Sequence, residues 1–297
     1  MNIDHLRLFV RIAGTHNMSK AGNELGLSAA VASSYINKLE AGLGTRLIHR
    51  TTRKVSLTED GQAFLPHAEE VLASVEAAQV SVGMGNYSPS GTLRITAPAS
   101  FGRMHLIPLM KGFMDTYPDL SIDCRLSDGI VDLVEGGFDI AIRNSELKSS
   151  SLIARKLAPD RRMLCASPEY IARNGMPQTP QELQKHECIT LSGLDQWQFK
   201  TPEGFITVKA QGRFRTDNGE AVRDACIQGL GITINSYWNA YEYLKRGELI
   251  HILEDYPVIA GTAIWAVYPS SRQLSPKVRA FIDYFSNAYG DKPYWET

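Results

Sequence analysis

Two apolar stripes at helical spacing, cut short by residues that suit helix ends, confine the start of this chain to a narrow set of shapes. Leu6, Phe9, Val10 and Ala13 fall at i, i+3, i+4 and i+7, one face of a helix that Gly14 stops. Ala32, Ile36, Leu39 and Leu43 repeat the spacing. Between the stripes Asn17 is placed to cap a short helix, Met18 to Leu25, and Gly26 to end it, because glycine tolerates the left-handed backbone of a sharp reversal. Ser28 caps the third helix. Helix, glycine-containing turn, helix is the helix-turn-helix pattern. The run RLIHRTTRKVS up to Ser56 is basic and β-branched and fits a short hairpin, a wing. Residues 1–58 therefore read as a winged helix-turn-helix head.

Charge separates the head from the rest. Residues 1–58 hold eight basic groups, Arg7, Arg11, Lys20, Lys38, Arg46, Arg50, Arg53 and Lys54, against the acids Asp4, Glu24 and Glu40. Residues 59–83 hold five acids and no Lys or Arg, and the whole chain carries −1. A compact basic head on a near-neutral body suits contact with a polyanion; a solvated basic face with no partner gives the same count. For a helix-turn-helix the polyanion is double-stranded DNA. Ser28, Ser33, Ser34, Tyr35, Asn37 and Lys38 supply short or polar groups along the recognition helix, and Arg50, Thr51, Arg53 and Lys54 supply phosphate-binding groups on the wing. Asn37 suits a bidentate contact to adenine where it faces the groove. Each serine taken singly is equally well read as a solvated polar position.

Thr58 caps the next helix, with Glu59 and Asp60 at its positive end. Phe64, Ala68, Val71, Val75, Ala78 and Val82 then step by four and three, a heptad seam. We read residues 59–83 as a dimerisation helix, although one packed on its own domain gives the same stripe; Pro66 interrupts the hydrogen-bond ladder. GMGNYSPSG, residues 83–91, is a flexible boundary, with the hinge itself at 84–91.

Beyond it, β-rich runs (Leu93–Ala97, Ser121–Leu126, Asp139–Arg143, Arg162–Ala166) alternate with helical ones (Met104–Tyr117, Ile130–Gly136). Thr179-Pro180-Gln181-Glu182 is a capping box that opens a further helix. Ile206–Ala210, Ile232–Asn235 and Thr262–Val267 read as strands and Ser275–Ala288 as a final helix. The body at 92–297 is long enough for two α/β lobes, one at about 92–162 and 267–297, the other at about 163–266.

Of the 297 residues 43% are hydrophobic and 21% charged, which excludes a disordered or fibrous chain. No stretch approaches the roughly 18 apolar residues of a membrane span, and the N-terminus lacks the layout of a secretory signal, so we expect a cytoplasmic protein without membrane contact. Cys124, Cys165, Cys188 and Cys226 form no C-x-x-C pair and read as buried, reduced thiols. The histidines show no metal spacing, and no metal or other cofactor is expected.

The run from Leu6 to Leu65, LRLFVRIAGTHNMSKAGNELGLS followed by INKLEAGLGTRLIHRTTRKVSLTEDGQAFL, resembles the N-terminal domain of LysR-type transcriptional regulators. SGTLRITAPASFG, VDLVEGGFDIAIR, SSLIARKLAP, CASPEYIARNG, GEAVRDACIQGLGI and LSPKVRAFIDYF extend the resemblance to the family's effector-binding half. It implies a two-lobed, periplasmic-binding-protein-like body that senses a small molecule. The family's DNA-contact positions carry over at Ser28, Ser33, Arg50 and Arg53. Ala29 stands where the family has Pro or Gln, Ala32 where it has Val, Ser34 where an Arg is frequent, and Ile48 where a Phe is common. Losing a guanidinium at Ser34 removes a bidentate contact, so readout leans on phosphates and shape.

By the family's layout Ser100 and Phe101 open a helix in the first lobe, and Asn218 and Gly219 open one in the second. Free N–H groups at two facing helix starts make an anion site. Arg143, Asn144 and Ser145 follow the strand IAI and suit a carboxylate clamp, although Arg143 also reads as a surface ion pair with Glu146 or Asp139. Ser192 follows the strand ITL, near the expected crossover. The effector expected is an organic anion; Phe101 and the four tryptophans leave an aromatic or neutral one open.

The leading expectation is thus an effector-gated regulator. Its paired heads place two recognition helices ~34 Å apart on an inverted repeat. Its bodies pair again into tetramers, and its ligand alters DNA bending and access of RNA polymerase. A redox sensor of the same fold, using Cys188 and Cys226, is the second reading. A solute-binding protein is disfavoured by the basic head, and an α/β enzyme by the lack of a G-x-S-x-G elbow, a P-loop or a Rossmann glycine pattern.

Overall fold

The computed structural model describes residues 1–50, 55–81, 89–129, 133, 136–145, 152–269 and 275–296. They gather into two compact units, Met1–Leu93 with Tyr117–Ser121 and Ser270–Ala280, and Arg94–Thr116 with Ile122–Pro269 and Phe281–Thr297.

The first unit opens with α1 (Ile3–Thr15), α2 (Met18–Glu24) and α3 (Ala29–Leu43). The caps read from the sequence are in place: Asn17 accepts the N–H of Lys20 and Ser28 that of Val31. Gly26 and Gly44 take left-handed φ of 69° and 73°, the reversals their positions require. One face of each helix closes on a shared core of Leu6, Leu8, Phe9, Ile12, Ala21, Ala32, Ile36 and Leu39. β1 (Ile48–Arg50) and β2 (Val55–Leu57) pair antiparallel as the wing. The buried carboxylate of Glu40 ties the wing to α3 by accepting the N–H of Leu47 at 2.9 Å and of Ile48 at 3.2 Å. α4 (Glu59–Ser81) runs through Pro66 without a break; Thr58 caps it by accepting the N–H of Gly61.

β3 (Gly91–Ala97) leads into α5 (Ala99–Phe101), which continues through a π turn (Gly102–Leu106) into α6 (Ile107–Thr116). The helical run thus starts at Ala99, ahead of the expected Met104. β4 (Leu120–Leu126), β5 (Ile140–Ser145) and β6 (Leu152–Pro159) follow. The helix expected at Ile130–Gly136 falls largely outside the described residues, as does most of the 83–91 boundary.

At Asp160 the chain crosses to a second sheet. There β7 (Arg162–Ala166) is followed by α7 (Pro168–Asn174), β8 (Thr190–Leu191), the hairpin β9 (Gln196–Thr201) and β10 (Gly204–Lys209), and β11 (Arg215–Thr216). α8 (Gly219–Ile227), β12 (Thr233–Ser236), α9 (Tyr237–Lys245) and β13 (Ile250–Ile252) complete this lobe. The chain then returns through β14 (Ala263–Pro269) to the first sheet, and α10 (Pro276–Tyr289) follows. The sheets read β4-β3-β5-β14-β6 and β12-β7-β13. β3 and β5 run parallel and β14 antiparallel to β5 and β6. The first lobe therefore resumes by Ala263 rather than at 267.

One expected helix is much reduced. Thr179 to Glu182 opens only a 3-10 turn, Pro180–Lys185, and the Thr179 side chain makes no capping bond. Glu182 instead accepts the N–H of Gln178 at 2.8 Å, and the chain is extended again at His186.

Candidate DNA interface and effector cleft

In α3 the buried stripe Ala32, Ile36 and Leu39 faces the head core, which leaves the opposite side to solvent. Asn37 and Lys38 are exposed there, and Ser33 and Ser34 half-exposed. Ser28 and Ala29 are exposed at the helix start. Ala30 and Ala41 share the solvent side and carry no polar signal that would have singled them out. Tyr35 is placed differently from the expectation: its ring packs against the core, 4.5 Å from His5. Tyr35 lies at the edge of the apolar stripe, one residue before Ile36. Arg50 ends β1; its side chain, with Thr51, Arg53 and Lys54, lies outside the described residues.

The seam on α4 divides. Phe64 stacks on Phe9 at 5.6 Å between ring centroids, and Ala68 is buried in the head core. These two side chains are therefore used within the chain, a correction to the seam read from sequence. Val71 is 37% exposed, Val75 half-buried and Ala78 exposed, and Val82 lies outside the described residues.

The second unit contains a cleft of about 380 Å³ lined by both of its lobes. Pro98, Ser100, Asp128 and Asn144 come from the first lobe; Gly219, Asn235, Trp238 and Asn239 come from the second. The two helix starts meet here: a Cβ on Gly219 would stand 4.0 Å from Ser100 Oγ. Ser100 Oγ is buried close to the Glu220 carboxylate without a well-aligned hydrogen bond, and Asn235 Nδ2 makes none. Asn144, with its amide turned to satisfy its neighbours, donates to Asp160 and accepts from the Trp238 indole N–H at 3.1 Å.

Of the expected effector residues, Ser100, Asn144 and Gly219 line this cleft. Asn218 sits just behind it, capping α8 through the N–H of Ala221 and donating to Asp128. Phe101 does not face it. Its ring is fully buried among His105, Trp238, Tyr289 and Trp295, because its place on the helix points it into the core. Arg143 and Ser192 are absent from the lining; Arg143 donates to the Ile142 carbonyl, and the Ser192 N–H joins Thr216. The Ser145 side chain lies outside the described residues. Asp128, Asn235 and Asn239 also line the cleft, and no pattern in the sequence around them marks them out. Trp197 and Trp238 are the two tryptophans that line the cleft.

Polar contacts hold the lobes together. Arg103 on the first lobe pairs with Glu220 on α8. Both crossings converge on Asp160, which accepts from Thr262 at 2.8 Å and Arg162 at 3.3 Å. His105, buried beside Trp238, bonds the Trp238 carbonyl at 3.0 Å and Tyr294 Oη at 2.6 Å; burial lowers its pKa to about 4. The Cys188–Cys226 pair of the redox reading is not formed; Cys226 lies beside Cys165, and that contact together with burial pushes the Cys165 thiol well up. Cys188 and Cys226 lie in separate core clusters, burial pushes Cys188 up to about 11, and Cys226 Sγ instead donates to the Cys165 carbonyl at 3.5 Å. Among the described residues there is no cluster able to hold a metal and no helix long and apolar enough to cross a membrane.

Comparison with known proteins places these features together. Residues 3–62 match the model for the bacterial regulatory helix-turn-helix protein, lysR family, and residues 87–290 match the LysR substrate binding domain. The chain is 34% identical over 293 residues to the HTH-type transcriptional regulator DmlR of Escherichia coli K12, covering 97% of this chain and 95% of that one. It is 32% identical to the transcriptional activator TtdR of the same strain, over 95% of this chain and 91% of the other. The solved structure of CrgA, a LysR-type regulator from Neisseria meningitidis, superposes with a TM-score of 0.62 at 30% identity, over 97% of this chain and 98% of that chain.

Proposed function

The chain belongs to the LysR family of bacterial helix-turn-helix transcriptional regulators, and from that membership we propose how this member works. It is a DNA-binding transcriptional regulator with an effector-binding domain. In our reading the exposed side of α3, with Ser28, Ser33, Ser34, Asn37 and Lys38, enters the major groove, and Arg50, Thr51, Arg53 and Lys54 hold phosphates. Val71, Val75, Ala78 and Val82 remain to pair two copies through α4, and the effector domains pair again to give a tetramer. The DNA target is an inverted repeat.

The effector binds in the cleft between the lobes, against Ser100, Asn144 and Gly219. Its recognition end is an anion seated at the facing starts of the 99–116 helical run and α8. The observation that carries this reading is the approach of Gly219 to the buried Ser100 Oγ. Ligand binding fixes one lobe arrangement, which moves the heads and changes access of RNA polymerase to the promoter. The protein carries out no chemistry on its ligand and stays in the cytoplasm.

Footprinting on the chain's own upstream DNA tests the core of this proposal. We expect protection with dyad symmetry and half-sites about 10 base pairs apart or a multiple of that, weakening steeply with salt. Asymmetric protection, or affinity indifferent to salt, overturns it.

A further inference from the structure

The charges that reach the cleft do not suit an anion as they stand. Asp128 and Asp217 bring two carboxylates to the lining, and its guanidinium, on Arg162, is bound by Asp160. Yet Asp128 sits where an anion would be best received. Its Oδ1 accepts the N–H of Ala99, the first residue of the 99–116 helical run, at 2.9 Å. Its Oδ2 accepts Asn218 Nδ2 at 2.7 Å, and Asn218 caps α8 in the other lobe. A single carboxylate thus joins the first N–H of the 99–116 helical run in one lobe to the side-chain amide of the residue that caps α8 in the other. Ser100 Oγ, buried and without a well-aligned hydrogen bond, lies beside it in the cleft.

Building on the effector reading above, we propose that Asp128 is a tethered stand-in for the effector's carboxylate. It fills the oxyanion position at the start of the 99–116 helical run, and a carboxylate-bearing effector binds by displacing it. The exchange is neutral in charge, one carboxylate for another, which resolves the conflict between an acidic lining and an anionic ligand. Asp128 is solvent-exposed, so on leaving it returns to water at low cost. The Arg103–Glu220 pair spans the same two lobes and keeps them together while the carboxylates trade places. Selectivity follows: a ligand without an oxyanion has nothing with which to replace Asp128, and the buried Ser100 hydroxyl rewards one whose anion reaches deeper than the Asp128 side chain does.

Removing the tethered carboxylate and supplying a free one tests this in the full-length protein. Asp128→Ala is expected to lower the melting temperature of the effector domain by about 3 °C. Sodium acetate should restore it saturably, with a half-point of about 10 mM, as suits a ligand of four heavy atoms. Tryptophan emission from Trp197 and Trp238 should follow the same curve, and sodium chloride at equal ionic strength should not reproduce it. The double variant Asp128→Ala/Asn218→Ala should lose the rescue. A response to acetate equal in the wild-type chain, or no saturable response in Asp128→Ala, overturns the proposal. Should Asp128→Ala not fold, Asp128→Asn keeps the volume. Hydrogen exchange at the Ala99 amide should then rise at least threefold and be slowed by acetate, and unchanged exchange is equally fatal. A failed rescue leaves the cleft open to an uncharged effector. A wild-type protein whose DNA binding answers to no small molecule sinks the effector reading and not the acetate result.

Discussion

The head and the effector domain are each held in shape by internal contacts, and these are of opposite reach in the two. In the head the polar bonds that shape the site are local: Asn17 caps Lys20, Ser28 caps Val31, and Glu40 holds Leu47 and Ile48. In the effector domain they join residues 90 apart at Asp128–Asn218, 117 at Arg103–Glu220 and 133 at His105–Trp238. The difference suits the two tasks. A head that reads DNA needs one fixed surface, which short-range capping and a small core supply. A cleft that answers a ligand needs two bodies that meet through few bonds, each made and broken without unfolding either lobe.

The largest test of this contrast is at Phe101. The family's layout places it at the ligand, whereas its ring fills the core. Phe101→Ala should cost about 4 kcal/mol in urea unfolding of the effector domain. A loss below 1 kcal/mol would return the ring to the cleft and shorten the list of long-range contacts.

His105 probes the same junction by pH. Burial holds it neutral in the folded state, with a pKa of about 4, against the pull of the Trp238 carbonyl that accepts its Nε2–H; its Nδ1 accepts from Tyr294. The unfolded chain, with an ordinary histidine near 6.5, takes up the proton first as pH falls. This contribution is therefore complete above pH 6.5 and shrinks as pH drops toward 4, by about 3 kcal/mol in all. Melting curves at pH 7.5, 5.5 and 4.5 should show the wild type losing stability faster than His105→Gln. Parallel losses would mean that the histidine is already hydrated.

Legibility in the sequence followed the same divide. α2 and α3, their N-terminal caps and the wing could be read because spacing and capping act within a few residues; α1 was legible as a stripe, but it runs past the expected stop at Gly14 to Thr15, with His16 taking the left-handed turn. Every strand singled out has a counterpart in the structure. Tyr35 failed at the edge of a stripe, where one residue decides between core and groove. Phe64 and Ala68 failed because periodicity marks an apolar face without saying what covers it. In the cleft, Ser100 and Gly219 came from the resemblance, since no local pattern marks them, and Asn144 from its place after the strand IAI. Asp128 was invisible: an aspartate before a glycine after a strand reads as a turn residue until Asn218, in the other lobe, is seen beside it.

Within the head, Glu40 is the residue whose loss should weaken the comparison most. Its buried carboxylate satisfies two backbone N–H groups and faces Arg46. Glu40→Ala should cost about 2 kcal/mol and loosen the wing, seen as faster exchange at Leu47 and Ile48. No change in exchange would show the wing held by its core residues alone.

The smallest effect separates two roles carried by one atom. Ser28 Oγ caps α3 through Val31, and our reading also places Ser28 at the DNA groove. Asn17 caps α2 in the same way through Lys20, and our reading gives it no part in DNA contact. Ser28→Ala and Asn17→Ala should each cost about 1 kcal/mol of stability. Only Ser28→Ala should weaken binding to the operator, by about fivefold, because it removes a hydrogen bond at the groove as well as a cap. Equal DNA affinity in the two variants would reduce Ser28 to a cap. The base-reading surface would then begin at Ser33, and the head would read DNA through fewer direct contacts than its local order suggests.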